Sequence, residues 1–145
     1  SESFLTLDTT RDEKAEIVRA LSPSGVAILN ADDPNVRWMA TQTRARVILV
    51  GEAQDADVQA TEVELDWPRG MRFVAHFDGQ AYRVRTPLMG RHMVYPALAA
   101  LAVAHVEGLP MQGLIARLSA TPGQLRWAGR PLDTDGDEIR RSGWG

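Results

Sequence analysis

The sequence contains no cysteine. Disulfides, thiolate metal sites and a cysteine nucleophile are therefore excluded. Lysine is nearly absent too: of 16 basic residues, Lys14 is the only lysine and the rest are arginines. A phosphate-binding loop of the Walker type needs Gly-Lys-Ser/Thr after a glycine turn. Here the sole lysine follows Glu13, so the sequence holds no such loop, and it has no Gly-x-Gly-x-x-Gly pattern either. The longest apolar stretch, Ala97 to Val106, includes His105 and is too short to span a bilayer. The three histidines, His76, His92 and His105, lack metal-ligand spacing. The formal net charge is −3 and the basic residues are scattered. Neither a nucleic-acid partner nor an anionic membrane surface is expected from that balance. Nothing at the N-terminus has the pattern of a signal peptide, and the cytoplasm is the expected compartment.

What is present is ordinary for a globular domain. The 145 residues amount to about one domain, and 44% hydrophobic residues suffice for a buried core. Residues 9 to 21 read as a helix, with Thr10 and Glu13 at capping-box spacing and Ile17, Val18 and Leu21 as its apolar side. Val26 to Leu29 is a short continuous apolar run, the pattern of a strand buried on both faces. Asp33 and Pro34 suit the start of a short helix reaching about Thr43, with Val36, Met39 and Ala40 inward. Val47 to Val50 makes a second buried strand. This alternation predicts a parallel α/β sheet.

The rhythm then changes. Val58 to Asp66, Gly70 to Phe77 and Gln80 to Arg85 read as antiparallel strands, with Asp78-Gly79 as a two-residue hairpin turn. Helices return at Tyr95 to Val106, apolar almost all round, and at Met111 to Leu118. Residues 126 to 145 read as an irregular tail, with one short strand near Glu138 to Arg140. The expected fold is α/β: a parallel-sheet half-domain over residues 1 to 125 with a small antiparallel β section.

Three places could carry chemistry. Lys14 is either a leftover exposed lysine or a residue whose primary amine is used. A guanidinium stays protonated near neutral pH and could neither attack as a nucleophile nor form a carbamate. Asn30-Ala31-Asp32-Asp33-Pro34 ends a parallel strand, where open α/β sheets bind ligands, although a cap and turn would use the same residues. Gly90-Arg91-His92 precedes a long helix whose free N–H groups favour an anion, or it is a plain loop. His76 and His105 are expected to be structural.

Taken in order, Asp12 to Ile17, Gly25 to Pro34 and Pro87 to Ala100 resemble the Mur ligases, most closely the type that adds D-alanyl-D-alanine. The resemblance covers residues 3 to about 125 and falls on the second half of the family's central domain. It implies an ATP-dependent, ADP-forming amide ligase of peptidoglycan precursor synthesis. Such an enzyme phosphorylates a carboxylate of a UDP-N-acetylmuramoyl peptide, which an amino acid or dipeptide amine then attacks. It implies ATP and Mg²⁺ as cofactors, with a carbamylated lysine at the Lys14 position giving the oxygen ligand that hard Mg²⁺ prefers. Lys14 is thus the implied catalytic and metal residue. Asn30, Arg91, His92, Gln124 and Arg130 are the implied nucleotide-binding residues. The phosphate-binding loop belongs to the other half of that domain, so the segment is expected to be inactive alone.

Some positions depart from the family pattern. The adenine-contacting helix start, Gly-x-His-Asn-x-x-Asn in the family, carries Met93 and Pro96 here, and neither can donate a hydrogen bond to a purine. Gln124 stands where the family has a nucleotide-contacting arginine, with Arg130 as the alternative alignment. The family histidine that binds magnesium would fall close to Ser1. These departures support a second possibility, a non-catalytic Mur ligase-like binding or scaffolding module. Another polypeptide, or a second copy, would then cover the surface left by the missing half-domain. A third is an unrelated metabolite-binding α/β domain with Gly90 to His92 as its anion site.

Overall fold

The computed structural model describes residues 4–7 and 14–119. They form one six-stranded sheet whose strands lie side by side in chain order. β1 (Phe4–Leu7), β2 (Val26–Asn30) and β3 (Arg46–Gly51) run parallel, and β4 (Val58–Asp66) joins them in the same direction. β5 (Gly70–Phe77) and β6 (Gln80–Thr86) complete the sheet antiparallel to their neighbours. The α/β class, the parallel half and the antiparallel section agree with expectation. β1 is an addition: four residues that no strand signal marked.

β2 explains the layering. Its continuous apolar sequence leaves no polar face, and all five residues are buried. Ala27 and Leu29 point to one side, where Val18 of α1 (Lys14–Arg19), Val36 of α2 (Pro34–Trp38) and Met39 cover them. Val26 and Ile28 point to the other side, into the larger core with α3 (Val94–Val106) and Ile115 of α4 (Met111–Ser119). Both crossover helices thus lie on one face, and the helices that follow the hairpins lie on the other.

α1 differs from the expected apolar stripe. Ala15 and Val18 are its buried residues, while Ile17 is 50% exposed. Thr10, the capping partner of Glu13, lies outside the described residues, as do residues 120–145, including the expected strand near Glu138. α2 is short and passes at Met39 into a single 3₁₀ turn, Met39–Gln42. Val36 and Met39 are buried as expected, and Ala40 is partly buried.

The antiparallel section follows the period-two rule. Met71, Phe73, Ala75 and Phe77 are buried on one face of β5, whereas Arg72, Val74 and His76 are only partly covered. Asp78 and Gly79 both take positive φ, 52° and 69°, as a primed hairpin turn requires. β4 is attached in an unusual way. Parallel strands normally need a crossover of a dozen residues or more. The β3–β4 connection is far shorter, and β4 pairs with β3 only at Val50↔Val58 and Gly51↔Gln59. Most of β4 therefore runs on past the carboxyl end of β3, carrying β5 and β6 with it.

Candidate functional site

Residues 30 to 34 leave β2 at the carboxyl edge of the parallel strands. Asn30 is buried, and its Oδ1 accepts the Asp32 amide at 2.8 Å. The two acids then divide their tasks. Asp33 Oδ1 accepts the Asn35 amide at 2.9 Å and caps α2, with Pro34 in the first turn. Asp32 points the other way. Its carboxylate accepts the backbone amides of Glu52 at 2.8 Å and Ala53 at 2.9 Å. It also accepts the hydroxyl of Tyr95 at 2.7 Å. Gly51 permits this approach, since a Cβ there would lie 2.7 Å from Asp32 Oδ2. On the far side Arg37 pairs with Asp55 and donates to the Ala31 carbonyl at 3.2 Å.

The segment before α3 closes the arrangement. Arg91 Nη2 donates to Glu52 Oε1 at 2.5 Å. Gly90 has φ +104°, and its Cα lies against the His92 ring, which a Cβ would meet at 2.6 Å. Met93 and Tyr95 pack on the larger core. Pro96 falls in the first turn of α3, where a missing amide hydrogen costs little. The Tyr95 hydroxyl has its pKa raised, first by burial, then by its bond to Asp32 and the nearby Asp32 and Glu52 charges, against a smaller opposing bond with Asn30. It therefore stays protonated, and so a donor, at ordinary pH.

Of the residues expected at a site, Asn30 and Arg91 enter one network, with exposed His92 beside it. Lys14 opens α1, the helix that crosses from β1 to β2. Gln124 and Arg130 lie outside the described residues. Glu52 and Tyr95 carried no motif of their own. The available signal was position: Glu52 follows a strand that ends in glycine, and Tyr95 sits one turn past Gly90-Arg91-His92. His76 lies on β5 and His105 on α3. His76 Nε2 lies 2.7 Å from Thr61 Oγ1. His105 lies on the exposed strip of α3, 2.7 Å from Asp78 Oδ2 and edge-on to Phe77. Among the described residues no group of three or more His, Asp or Glu side chains gathers as a cation site.

The profile of the Mur ligase middle domain matches residues 1–104. The chain belongs to the Mur ligase family. It is 41% identical over 119 residues to the UDP-N-acetylmuramoyl-tripeptide–D-alanyl-D-alanine ligase of Mycobacterium tuberculosis, which covers 82% of this chain and 23% of that protein. Identity to the UDP-N-acetylmuramate–L-alanine ligase of Salinispora arenicola is 36% over 116 residues, covering 77% and 22%. Among solved structures, the UDP-N-acetylmuramoylalanyl-D-glutamyl-2,6-diaminopimelate–D-alanyl-D-alanyl ligase of Acinetobacter baumannii superposes with a TM-score of 0.62 at 30% identity, over 74% of this chain and 24% of that one. A UDP-N-acetylmuramoyl-L-alanyl-D-glutamate–2,6-diaminopimelate ligase shares the fold with a TM-score of 0.68 at 20% identity, over 81% of this chain and 28% of that one. The chain thus spans about a quarter of the length of the Mur ligases it matches. Family membership removes the unrelated metabolite-binding domain as a reading.

Proposed function

We propose that this chain is part of the central domain of an ATP-dependent, ADP-forming amide ligase of peptidoglycan precursor synthesis. The whole enzyme would add an amino acid or dipeptide to a UDP-N-acetylmuramoyl peptide. The 41% identity to a D-alanyl-D-alanine ligase carries this reading. The bonded edge formed by Asn30, Asp32, Glu52, Arg91 and Tyr95, at the carboxyl ends of β2 and β3, supports it. ATP and Mg²⁺ are the proposed cofactors of that whole ligase, and the cytoplasm its compartment. The described residues supply neither a three-acid cation site nor a lysine loop for phosphates. This chain therefore contributes frame and wall, with Lys14 as its proposed catalytic and metal-holding group, and it is inactive alone. Asn30, Arg91, His92, Gln124 and Arg130 are proposed to face the nucleotide.

The test uses the natural polypeptide that carries this sequence, isolated from its source cells. ADP release is expected only when a UDP-N-acetylmuramoyl peptide and an amino acid or dipeptide are both present. A natural product of about this size, with no Gly-Lys-Thr segment and no ADP release, would overturn the ligase. Lys14 has its own check: as the sole lysine, it should give the one side-chain carbamate resonance in ¹³C-bicarbonate, absent in Lys14→Arg.

A binding or scaffolding module is the second reading, and Met93 and Pro96 favour it because neither can donate to a base. Ile17 and Trp38, both about half exposed on the α1–α2 side, offer apolar surface to another polypeptide or a second copy. Sedimentation as a monomer independent of concentration would remove the second copy.

A further inference from the structure

The edge at the ends of β2 and β3 has its polar groups already matched to one another. Asp32 receives two backbone amides and one hydroxyl. Glu52 is paired with Arg91, and Asn30 Oδ1 is held by the Asp32 amide. The start of α3 is equally committed. Met93 and Tyr95 belong to the core packing, and Pro96 has no donor. A pocket that reads a purine edge needs donors and acceptors aimed at a vacant plane, and here Asn30, Asp32 and Glu52 are engaged with protein groups, while Arg91 and His92 are exposed. Charge-assisted bonds of this kind are about twice as strong as neutral ones, so a ligand group would have to displace them to use them.

We propose that this edge is a ligand-independent clasp, in which Tyr95 supplies the donor that fastens Asp32 and the loop after β3 to α3, and that the start of α3 does not read a nucleotide base. The disagreement is with the adenine contacts implied by the family pattern, and this part of the inference rests on the ligase reading. A ligase built this way would position its nucleotide by the phosphates and discriminate poorly between purines.

Amide hydrogen exchange on the full 145-residue chain tests this. In Tyr95→Phe, exchange at Glu52 and Ala53 should rise about tenfold, a factor equal to ~1.4 kcal/mol, with Phe73 in β5 unaffected. In the natural polypeptide that carries this sequence, ATP with Mg²⁺ and GTP with Mg²⁺ should affect the Glu52 and Ala53 rates equally. Unaltered exchange in Tyr95→Phe would overturn the clasp. Slowing by ATP and not by GTP would overturn the claim about base reading. If Tyr95→Phe does not fold, Asp32→Asn carries the same expectation, and the nucleotide titration needs no variant. Failure of the ligase reading shows separately, as absent ADP release by the natural polypeptide.

Discussion

β2 and β5 belong to the same sheet but meet different surroundings. Every residue of β2 is buried, because crossover helices cover one face and α3 the other. From Met71 onward β5 is buried only at alternate residues, since α3 and α4 cover a single face there. Burial is thus set by the connections and not by the sheet. Crossovers bring helices with them, whereas a two-residue hairpin brings nothing to cover its second face. The sequences record this as a continuous apolar run in one strand and an alternating one in the other.

The sharpest way to break the comparison is to place a carboxylate in each strand. Ala27→Asp would bury an unpaired charge between two layers and should cost about 4 kcal/mol or more, enough to abolish the cooperative urea transition. Val74→Asp, on the partly covered face of β5, should remain folded and lose about 1 kcal/mol or less. Equal losses would mean that both faces of β5 are covered after all.

Truncation comes next. Phe73→Ala empties the covered face of β5 and should cost about 3 to 5 kcal/mol in thermal melting. Gly70→Ala probes the join between the two hairpins, because a Cβ there would sit 2.0 Å from the Thr86 carbonyl oxygen at φ +128°. A loss of about 1 to 3 kcal/mol is expected from the backbone strain, and a fully native melting curve would refute that contact. Asp33→Ala removes the α2 cap and should cost about 1 kcal/mol in guanidinium titration. Asp33→Ser, which keeps a side-chain acceptor, should recover most of it.

The smallest effect expected is one of pH. The raised Tyr95 pKa means that the folded state holds its proton more tightly than the unfolded chain. This contribution is complete below the ordinary tyrosine value of about 10 and is lost as pH rises above it. Stability measured upward from pH 9 should fall less steeply in Tyr95→Phe.

Most of the framework was legible in the sequence because it rests on local chemistry. The β2 run, the Asp33-Pro34 helix start and the Asp78-Gly79 turn each need only neighbouring residues. β1 was not legible, since four residues reading Phe-Leu-Thr-Leu are too few to set a period and acquire strand geometry by pairing with β2. The inward face of α1 was misjudged for a similar reason. Ile17 is the more apolar residue, but the register against β2 buries Ala15 and Val18. At the candidate site, Asn30 and Arg91 were found by motif. Tyr95 was not, because its partner Asp32 is 63 residues away in sequence. The choice between cap and ligand at the two acids had no answer in sequence either. Asp33 took the cap and Asp32 the long-range bonds.

The short pairing of β4 with β3 gives the carboxyl edge the profile of a stair. The parallel strands make the tread, and the overhanging β4–β6 section makes the riser. A solute coming to rest beside Asn30 and Gly51 meets that riser on one flank, so its approach is handed.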